Sequence, residues 1–491
     1  MTRARAKSYK HIIKYTGVFG SVEVLKILIG LIRNKVVALI LGPDGMGLMS
    51  LFVTTIKFFS DSTNLGIPTS AVREIAAKAE SGDNAQLAET VSVVRTLSLF
   101  TAIMGTLMCA LLGPLLNRWT FTWGDHTLHF ILLSPAVGIT ALLGGELAIL
   151  KGLKQLRSLA RQSVYSAVAS LIVAVPLFYL WGMSAIVPVL LLTELSQLLL
   201  VANFSYRIVA PRFTVLRKMW HESKVMITLG VAFVVSGIFV SGSDFLIRTY
   251  LNNVASLETV GLFSAGYVIV SVYGGMVFSA METDYYPRIS SISTYGRELN
   301  LSVNEQIEVS LVLIAPMLVV LMVFMPIIIP LLYSNAFMPV VPMIQVCLIA
   351  LFFRAVYMPL EYISLAKARS RLFLIQEIVS TLLLITGIIG GYHIGELIGA
   401  GVGFVAAYML ESILVMLIAG HYYHYQPSRR ATRYFIIELG IGVATYIITL
   451  TLQSWAYWVA GTLMCLICAG YSLMVMRRSN SLPAKLRFLK K

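Results

Sequence analysis

The sequence predicts an all-α polytopic membrane protein with fourteen transmembrane helices. Of its 491 residues, 58% are hydrophobic and 12% are charged, and the mean hydropathy is +0.82. A soluble protein of this length could not bury so much apolar surface, so lipid must be the solvent for most of the chain. The net charge of +15 does not indicate binding to nucleic acid, because basic residues of polytopic proteins collect in cytoplasmic loops.

Fourteen apolar segments are long enough to cross a bilayer, and the connections between them are too short for a soluble domain. The predicted spans are residues 12–41, 46–72, 90–117, 128–150, 162–181, 184–208, 222–250, 258–286, 304–333, 340–366, 372–391, 397–421, 432–453 and 455–476.

The distribution of basic residues predicts the orientation. If the N-terminus is cytoplasmic, thirty of the 38 Lys and Arg residues lie in cytoplasmic segments, seven lie within spans, and Arg118 alone lies in an outer loop. A missed or extra helix would reverse the side of every later loop. The asymmetry therefore predicts an even number of spans, with both termini in the cytoplasm.

An internal repeat predicts two lobes. Leu31-Ile32-Arg33 recurs as Leu246-Ile247-Arg248, and Gly47-Leu48 recurs one residue out of register as Gly261-Leu262. An even number of spans separates the copies, so the lobes have the same orientation and are related by an axis along the membrane normal. We expect an N-terminal lobe at 1–221 with spans 1–6 and a C-terminal lobe at 222–431 with spans 7–12. Spans 13 and 14 follow at 432–491 with a basic cytoplasmic tail.

Ionisable residues inside the spans are the candidate functional residues, because a charge at membrane depth is costly and usually faces a bundle interior or a watered cavity. No catalytic motif and no metal-binding cluster accompanies them, so we expect neither an enzyme nor a cofactor. The candidates for binding substrate are Arg33, Lys26, Lys57, Arg248, Arg95 and Arg354. The candidates for carrying a coupling ion along the pathway are Glu23, Asp61, Asp244 and Glu282.

Each of these residues also has a structural alternative. Lys57 and Asp61, like Asp244 and Arg248, are spaced for an ion pair within one helix, and Arg33 could extend toward the outer headgroups. The repeat-related Glu146 and Glu361 lie near cytoplasmic loops, where Lys151 and Lys367 could neutralise them.

The excess of buried cations in both halves predicts an anionic substrate group. A phosphate or diphosphate is the natural candidate, since the guanidinium fork matches phosphate oxygens bidentately. The duplicated Leu-Ile-Arg suggests that Arg33 and Arg248 clamp a diphosphate together.

The chain resembles the Wzx-type polysaccharide flippases of the superfamily that also contains the MATE exporters and the lipid II flippases. The resemblance covers the whole chain. It rests on the glycine turn Leu41-Gly42-Pro43-Asp44-Gly45-Met46-Gly47-Leu48 after span 1, on Asn64-Leu65-Gly66-Ile67 and Ala71-Val72-Arg73-Glu74, and on the plan of six, six and two spans.

The resemblance implies a MATE-like fold in a bacterial inner membrane. It implies that the protein flips an undecaprenyl diphosphate-linked oligosaccharide, such as an O-antigen unit, from the cytoplasmic to the outer leaflet for surface polysaccharide biosynthesis. The two lobes would alternate access to a cationic central cavity. Partners would be the lipid-linked glycan and the bilayer, with a polysaccharide polymerase and glycosyltransferases acting on the same material.

Two other functions compete with this hypothesis. A cation-coupled exporter of small molecules has the same fold, but exporters of organic cations would be expected to have acidic cavities. A membrane-embedded glycan polymerase or ligase would need a large outer loop or acidic residues on the outside, and the sequence has neither.

Overall fold

The structure is a computed structural model that describes the backbone of residues 3–122, 124–292, 296–367 and 369–478. Side chains are described from residue 25 onward, apart from scattered positions in 216–232 and 272–284 and residues 370 and 478. The predicted pathway residues Glu23 and Glu282 therefore lie outside the described side chains.

The described residues form helices throughout. In chain order these are α1 (Arg3–Thr63), α2 (Ile67–Glu80), α3 (Asn84–Leu111), α4 (Gly113–Thr120), α5 (Thr127–Gly152), α6 (Leu156–Trp181), α7 (Ile186–Tyr206), α8 (Leu216–Glu222), α9 (Lys224–Val254), α10 (Leu257–Val268), α11 (Met276–Ser291), α12 (Arg297–Leu332), α13 (Val341–Ala366), α14 (Ser370–Tyr423), α15 (Arg429–Thr451) and α16 (Ser454–Arg478).

The helices are compatible with fourteen spans. Within the described residues, ten helical segments are long and apolar enough to cross a membrane, and three of these, Leu25–Thr63, Leu156–Tyr206 and Arg371–Tyr423, each contain two predicted spans. The remaining predicted span, 258–286, corresponds to α10 and α11, which a π-helical turn at Ile269–Tyr273 joins. The all-α membrane fold is confirmed.

The glycine turn between the first two spans consists of one non-helical residue. Gly42 has φ 66° and ψ −173°, a region of backbone space that is essentially restricted to glycine. Pro43 follows, and proline suits the first turn of a helix because its missing N–H would have no partner there. The chain therefore passes from one span to the next within a single residue.

The second span is shorter than predicted. The sequence predicts 46–72, but the helix ends at Thr63 and α2 begins at Ile67. Asn64 causes the break, because its Oδ1 accepts a hydrogen bond from the N–H of Gly66 at 2.8 Å. Gly66 adopts φ 72°, a left-handed conformation that no continuing helix permits.

The chain divides into two compact units. The first contains residues 1–261 and 332–334, and the second contains residues 262–331 and 335–491. Helix α9 belongs to the first unit, although the sequence assigns it to the C-terminal lobe. The predicted lobes are defined by the internal repeat of the sequence, whereas the two compact units are defined by packing. The lobe boundary at residue 221 therefore stays a prediction.

Close backbone approach between glycines holds α9 and α10 against α1 and α2 in the first unit. A Cβ atom at Gly47 would collide with the carbonyl oxygen of Leu257, and one at Gly230 would collide with the carbonyl oxygen of Leu65. Only glycine allows helices to approach this closely.

The core of the second unit is α13, which is buried along most of its length against α14. The two segments of α14, separated by a kink at Gly395 and Glu396, also meet through glycines. Gly399 lies against the carbonyl of Gly391, and Gly403 lies against that of Gly387. The sequence predicts close packing at Gly395, Gly399 and Gly403. This is confirmed for the latter two and wrong for Gly395, which forms the kink instead.

Candidate functional site

The first group of predicted residues lies where α1 packs on α9. The Arg248 guanidinium donates to Ser50 Oγ at 2.9 Å and forms an ion pair with Asp244 Oδ1 at 3.2 Å. The other carboxylate oxygen of Asp244 lies 3.8 Å from Lys57 Nζ. Asp61 interacts electrostatically with Lys57, so the network continues along α1.

This network contains two cations and two anions. The pairing within α9 that the sequence allows between Asp244 and Arg248 is present. The structure adds an ion pair across helices, from Lys57 to Asp244, that spacing along one helix does not reveal. Arg248 is 5% exposed, and Asp244 compensates its charge. In this structure Arg248 is therefore a structural cation. Lys57 is 51% exposed at its side chain and is the accessible member of the group.

Arg95 is the most completely bonded of the predicted ligands. Its Nε and Nη2 donate to the two carboxylate oxygens of Glu146 at 2.8 and 3.2 Å, and Nη2 also donates to Ser205 Oγ at 3.1 Å. Its Nη1 donates to the carbonyl oxygens of Val209 and Ala210 at 3.1 and 2.8 Å. A guanidinium has five N–H donors, and protein oxygens accept from all five. We therefore exclude Arg95 from the proposed substrate ligands.

The same contacts correct the interpretation of Glu146. The sequence suggests Lys151 as its counter-ion, but Glu146 is 6% exposed and pairs with Arg95 instead. The pair joins α3, α5 and the end of α7 inside the first unit.

Arg33 differs from these residues because its donors are incompletely used. Its Nε is enclosed and has no hydrogen-bond partner in the described part of the chain. Glu194 on α7 interacts with it electrostatically, without a contact as close as an ion pair. This arrangement does not favour the snorkelling alternative, since Arg33 faces an acidic residue of its own unit. Glu194 was not among the predicted site residues, although it is an acidic residue within the predicted span 184–208.

Arg354 is the corresponding cation of the second unit. Its guanidinium carbon lies 5.1 Å from the centroid of the Phe278 ring, and Tyr357, Tyr408 and Glu411 interact with it electrostatically. Within the described residues, no hydrogen bond or ion pair engages the guanidinium. Among the described residues its environment is therefore mainly aromatic, and Glu411 is the acidic group that acts on it.

A group of glutamates beside Arg354 was not recognised in the sequence as a unit. Glu361, Glu377 and Glu411 interact electrostatically with one another. Lys367, the counter-ion that the sequence suggests for Glu361, donates instead to the carbonyl oxygens of Ile289 and Ile292.

The remaining predicted residue, Lys26, is exposed near the start of the described side chains. The predicted sites therefore separate into three kinds: structural cations (Arg95 and Arg248), exposed cations (Lys26 and Lys57), and half-buried guanidiniums whose donors are not fully used by described residues (Arg33 and Arg354).

Comparison with known proteins identifies the family. The model of the polysaccharide biosynthesis protein family matches residues 12–293, more than half of the chain. The chain belongs to the polysaccharide biosynthesis protein family. No curated protein matches it.

Solved structures show that this family member has the fold of the MOP superfamily. An inward-facing multidrug resistance MATE family transporter of that superfamily is 17% identical, with a TM-score of 0.68 over 85% of this chain and 98% of the other. The lipid II flippase MurJ, in an inward closed conformation, is 15% identical, with a TM-score of 0.66 over 94% and 99% of the two chains. A MOP superfamily transporter from Pyrococcus furiosus is 18% identical, with a TM-score of 0.57 over 82% and 92%.

Proposed function

We propose that the protein flips an undecaprenyl diphosphate-linked oligosaccharide from the cytoplasmic to the outer leaflet of a bacterial inner membrane, by alternating access. Membership of the polysaccharide biosynthesis family and the fold that it shares with a lipid II flippase support this proposal. The distribution of basic residues supports the orientation, with both termini in the cytoplasm.

The observation that carries the proposal is the presence of two half-buried arginines, Arg33 and Arg354, whose donors are not fully used by described residues. Arg33 has an enclosed Nε without a partner, and Arg354 has aromatic rings and an electrostatic interaction with Glu411 around its guanidinium. A buried guanidinium that lacks acceptors is costly for the empty protein. Within its own unit, either arginine could bind phosphate oxygens in bidentate geometry.

This assignment departs from the clamp of Arg33 and Arg248 that the sequence suggests. Arg33 remains a proposed ligand, but Arg248 is engaged by Asp244 and Ser50. Arg354 is a separate candidate phosphate ligand, in the second unit.

The test is flipping of a fluorescent lipid diphosphate-linked oligosaccharide in proteoliposomes, normalised to the amount of inserted protein. We expect Arg33→Ala and Arg354→Ala each to weaken binding about tenfold or more, since each removes charge-assisted hydrogen bonds of about 1.5–3 kcal/mol. Arg→Lys at either position should retain part of the activity, because the charge remains and the fork is lost. Glu194→Gln should tighten binding and slow release, because Arg33 would then lose its competing carboxylate.

Arg118→Ala is the matched control, since Arg118 is an exposed arginine of the predicted outer side. Normal flipping by an Arg33→Ala, Arg354→Ala double variant would refute the assignment of these ligands. If the protein does not flip the lipid but moves organic cations across the membrane, the exporter alternative is correct.

A further inference from the structure

The connection between α7 and α9 exposes arginines and large apolar side chains next to one another. We call residues 207–222 the α7–α9 connection, and it includes the short helix α8. Its exposed basic residues are Arg207, Arg212 and Arg217. Its exposed large apolar residues are Ile208, Phe213, Val215 and Trp220. Single exposed apolar residues are normal, but four of them in one short connection, interspersed with arginines, indicate a contact surface.

The opposite side of the connection is bonded to α3. Arg95 Nη1 donates hydrogen bonds to the carbonyl oxygens of Val209 and Ala210 at 3.1 and 2.8 Å. Thr96 Oγ1 accepts a hydrogen bond from the N–H of Thr214 at 2.9 Å. The backbone of the connection is therefore fixed on α3, and its outer side chains are held away from the protein.

Helix α8 has the same two sides. Met219 is fully buried in a cluster with apolar residues of α2, α3 and α5. The next residue, Trp220, packs its ring edge-on against Phe100, with the ring centroids 5.3 Å apart, and is still 43% exposed. Helix α8 therefore presents Trp220 to the surroundings in a fixed orientation.

The depth of the contacts with α3 indicates what the outer side meets. Thr96 is the seventh residue of the predicted span 90–117, which places it about 9 Å inside the span at 1.5 Å per residue. Membrane-surface segments bury their apolar residues about 5–10 Å into the boundary between headgroups and acyl chains. A soluble protein would not reach this depth, whereas phospholipids surround it.

The charge of the connection selects the kind of lipid. From residue 207 to residue 221 the sequence has four basic residues and no acidic one, and such segments are attracted to anionic headgroups. Guanidinium groups bind phosphate oxygens bidentately, while their stems lie along apolar surface. A topology signal needs only the positive charge, so it explains neither the fixed backbone nor the exposure of Phe213 and Val215.

We propose that the α7–α9 connection binds anionic phospholipids of the leaflet on its side of the membrane, which is the cytoplasmic leaflet in the predicted orientation. The three exposed arginines hold lipid phosphates, while Phe213, Val215 and Trp220 enter the boundary of the acyl chains. The ligand is a phospholipid of the bilayer itself. The inference requires that the chain lies in a membrane and does not rest on the proposed function.

The experiment uses Trp220 as a reporter of its own surroundings. The full-length protein is placed in phosphatidylcholine nanodiscs that contain an increasing fraction of phosphatidylglycerol or phosphatidylcholine brominated near the headgroup end of one acyl chain, because bromine in contact with indole quenches its fluorescence. The chain has six tryptophans, so the signal of Trp220 is the difference between the protein and its Trp220→Phe variant. We expect half of the quenching at an about fivefold lower fraction of phosphatidylglycerol, which is the contribution of about one basic residue at an anionic surface.

Two variants with equal loss of charge test the arginines, each measured with and without Trp220→Phe. The first combines Arg207→Gln, Arg212→Gln and Arg217→Gln, and it should lose the preference for phosphatidylglycerol. The control removes three exposed basic residues where α5 meets α6, by Lys151→Gln, Arg157→Gln and Arg161→Gln. It should retain the preference. An equal loss of preference in both variants would show a general effect of charge and would refute the site.

A further variant, Phe213→Ser with Val215→Ser, tests the apolar contact. Both side chains are exposed, so the fold should survive while both lipids quench Trp220 less. Unchanged quenching in this variant would refute the insertion of the two side chains. In the unmodified protein, equal quenching by the two lipids would refute the recognition of anionic headgroups. Absence of quenching by either lipid would show that water or another protein covers the connection, and the proposal would be wrong.

Discussion

At the scale of single residues, the number of hydrogen bonds that an arginine already makes separates structure from function. Arg95 gives all five donors to protein oxygens, whereas Arg33 Nε has no partner among the described residues. Both are ionisable residues in apolar segments and look alike in the sequence. Only the tertiary contacts distinguish the arginine that stabilises the fold from the arginine that can accept a ligand.

We predict that Arg95→Ala impairs folding rather than transport. Removing one partner of a buried ion pair costs about 3–5 kcal/mol, since Glu146 would be left uncompensated. Arg95→Lys should also be strongly destabilising, because an ammonium has three donors and no fork. The measurement is the midpoint of thermal unfolding, together with flipping per folded molecule. Normal stability with lost flipping would contradict the structural role.

The sequence could identify which ionisable residues lie within spans, but not their partners. Arg95 contacts Glu146, which is 51 positions away, and two carbonyl oxygens that are 114 and 115 positions away. No local spacing in the sequence encodes such contacts. By contrast, the Asp244–Arg248 pair was visible because it lies within one helical turn. The glutamates beside Arg354, at positions 361, 377 and 411, were missed because they are far apart in the sequence and interact only in the folded second unit.

At the scale of helices, glycines decide how closely the elements approach. The pairs Gly47 with Gly261, and Gly66 with Gly230, lie at points where a Cβ would collide with backbone, which cannot move aside as a side chain can. The sequence predicted the helices from hydropathy, and it predicted close packing for Gly399 and Gly403. The early end of α1 at Thr63 was missed because the hydrophobic segment continues through the break that Asn64 causes.

We predict that Gly47→Ala destabilises the first unit by about 1–3 kcal/mol, the usual cost of overpacking. Gly30→Ala is the matched control, since a Cβ there meets nothing within 4 Å and alanine favours helix. Both variants should be compared by thermal unfolding in detergent. Equal unfolding midpoints would show that the helices can separate without cost.

At the scale of the whole molecule, the orientation is a prediction from charge alone. Single cysteines at Asp125 and Ser256, both exposed, should react with a membrane-impermeant reagent in intact cells. Cysteines at Ser81 and Arg429, also exposed, should react only after the membrane is opened. The four native cysteines are buried, and the unmodified protein is the background control. Labelling of Arg429→Cys from outside would contradict the helix count.

The single-residue turn at Gly42 is one of several very short connections on the predicted outer side. The four-residue turn Gly182–Ala185 and the kink at Gly395 and Glu396 are others. In this orientation, antibodies and proteases added to spheroplasts would find little polypeptide to recognise on the outer face of the inner membrane. The segment between α4 and α5, including the exposed Asp125, is the place to insert an epitope tag. A hydrophilic glycan that reaches this side would meet open water rather than a cover of loops.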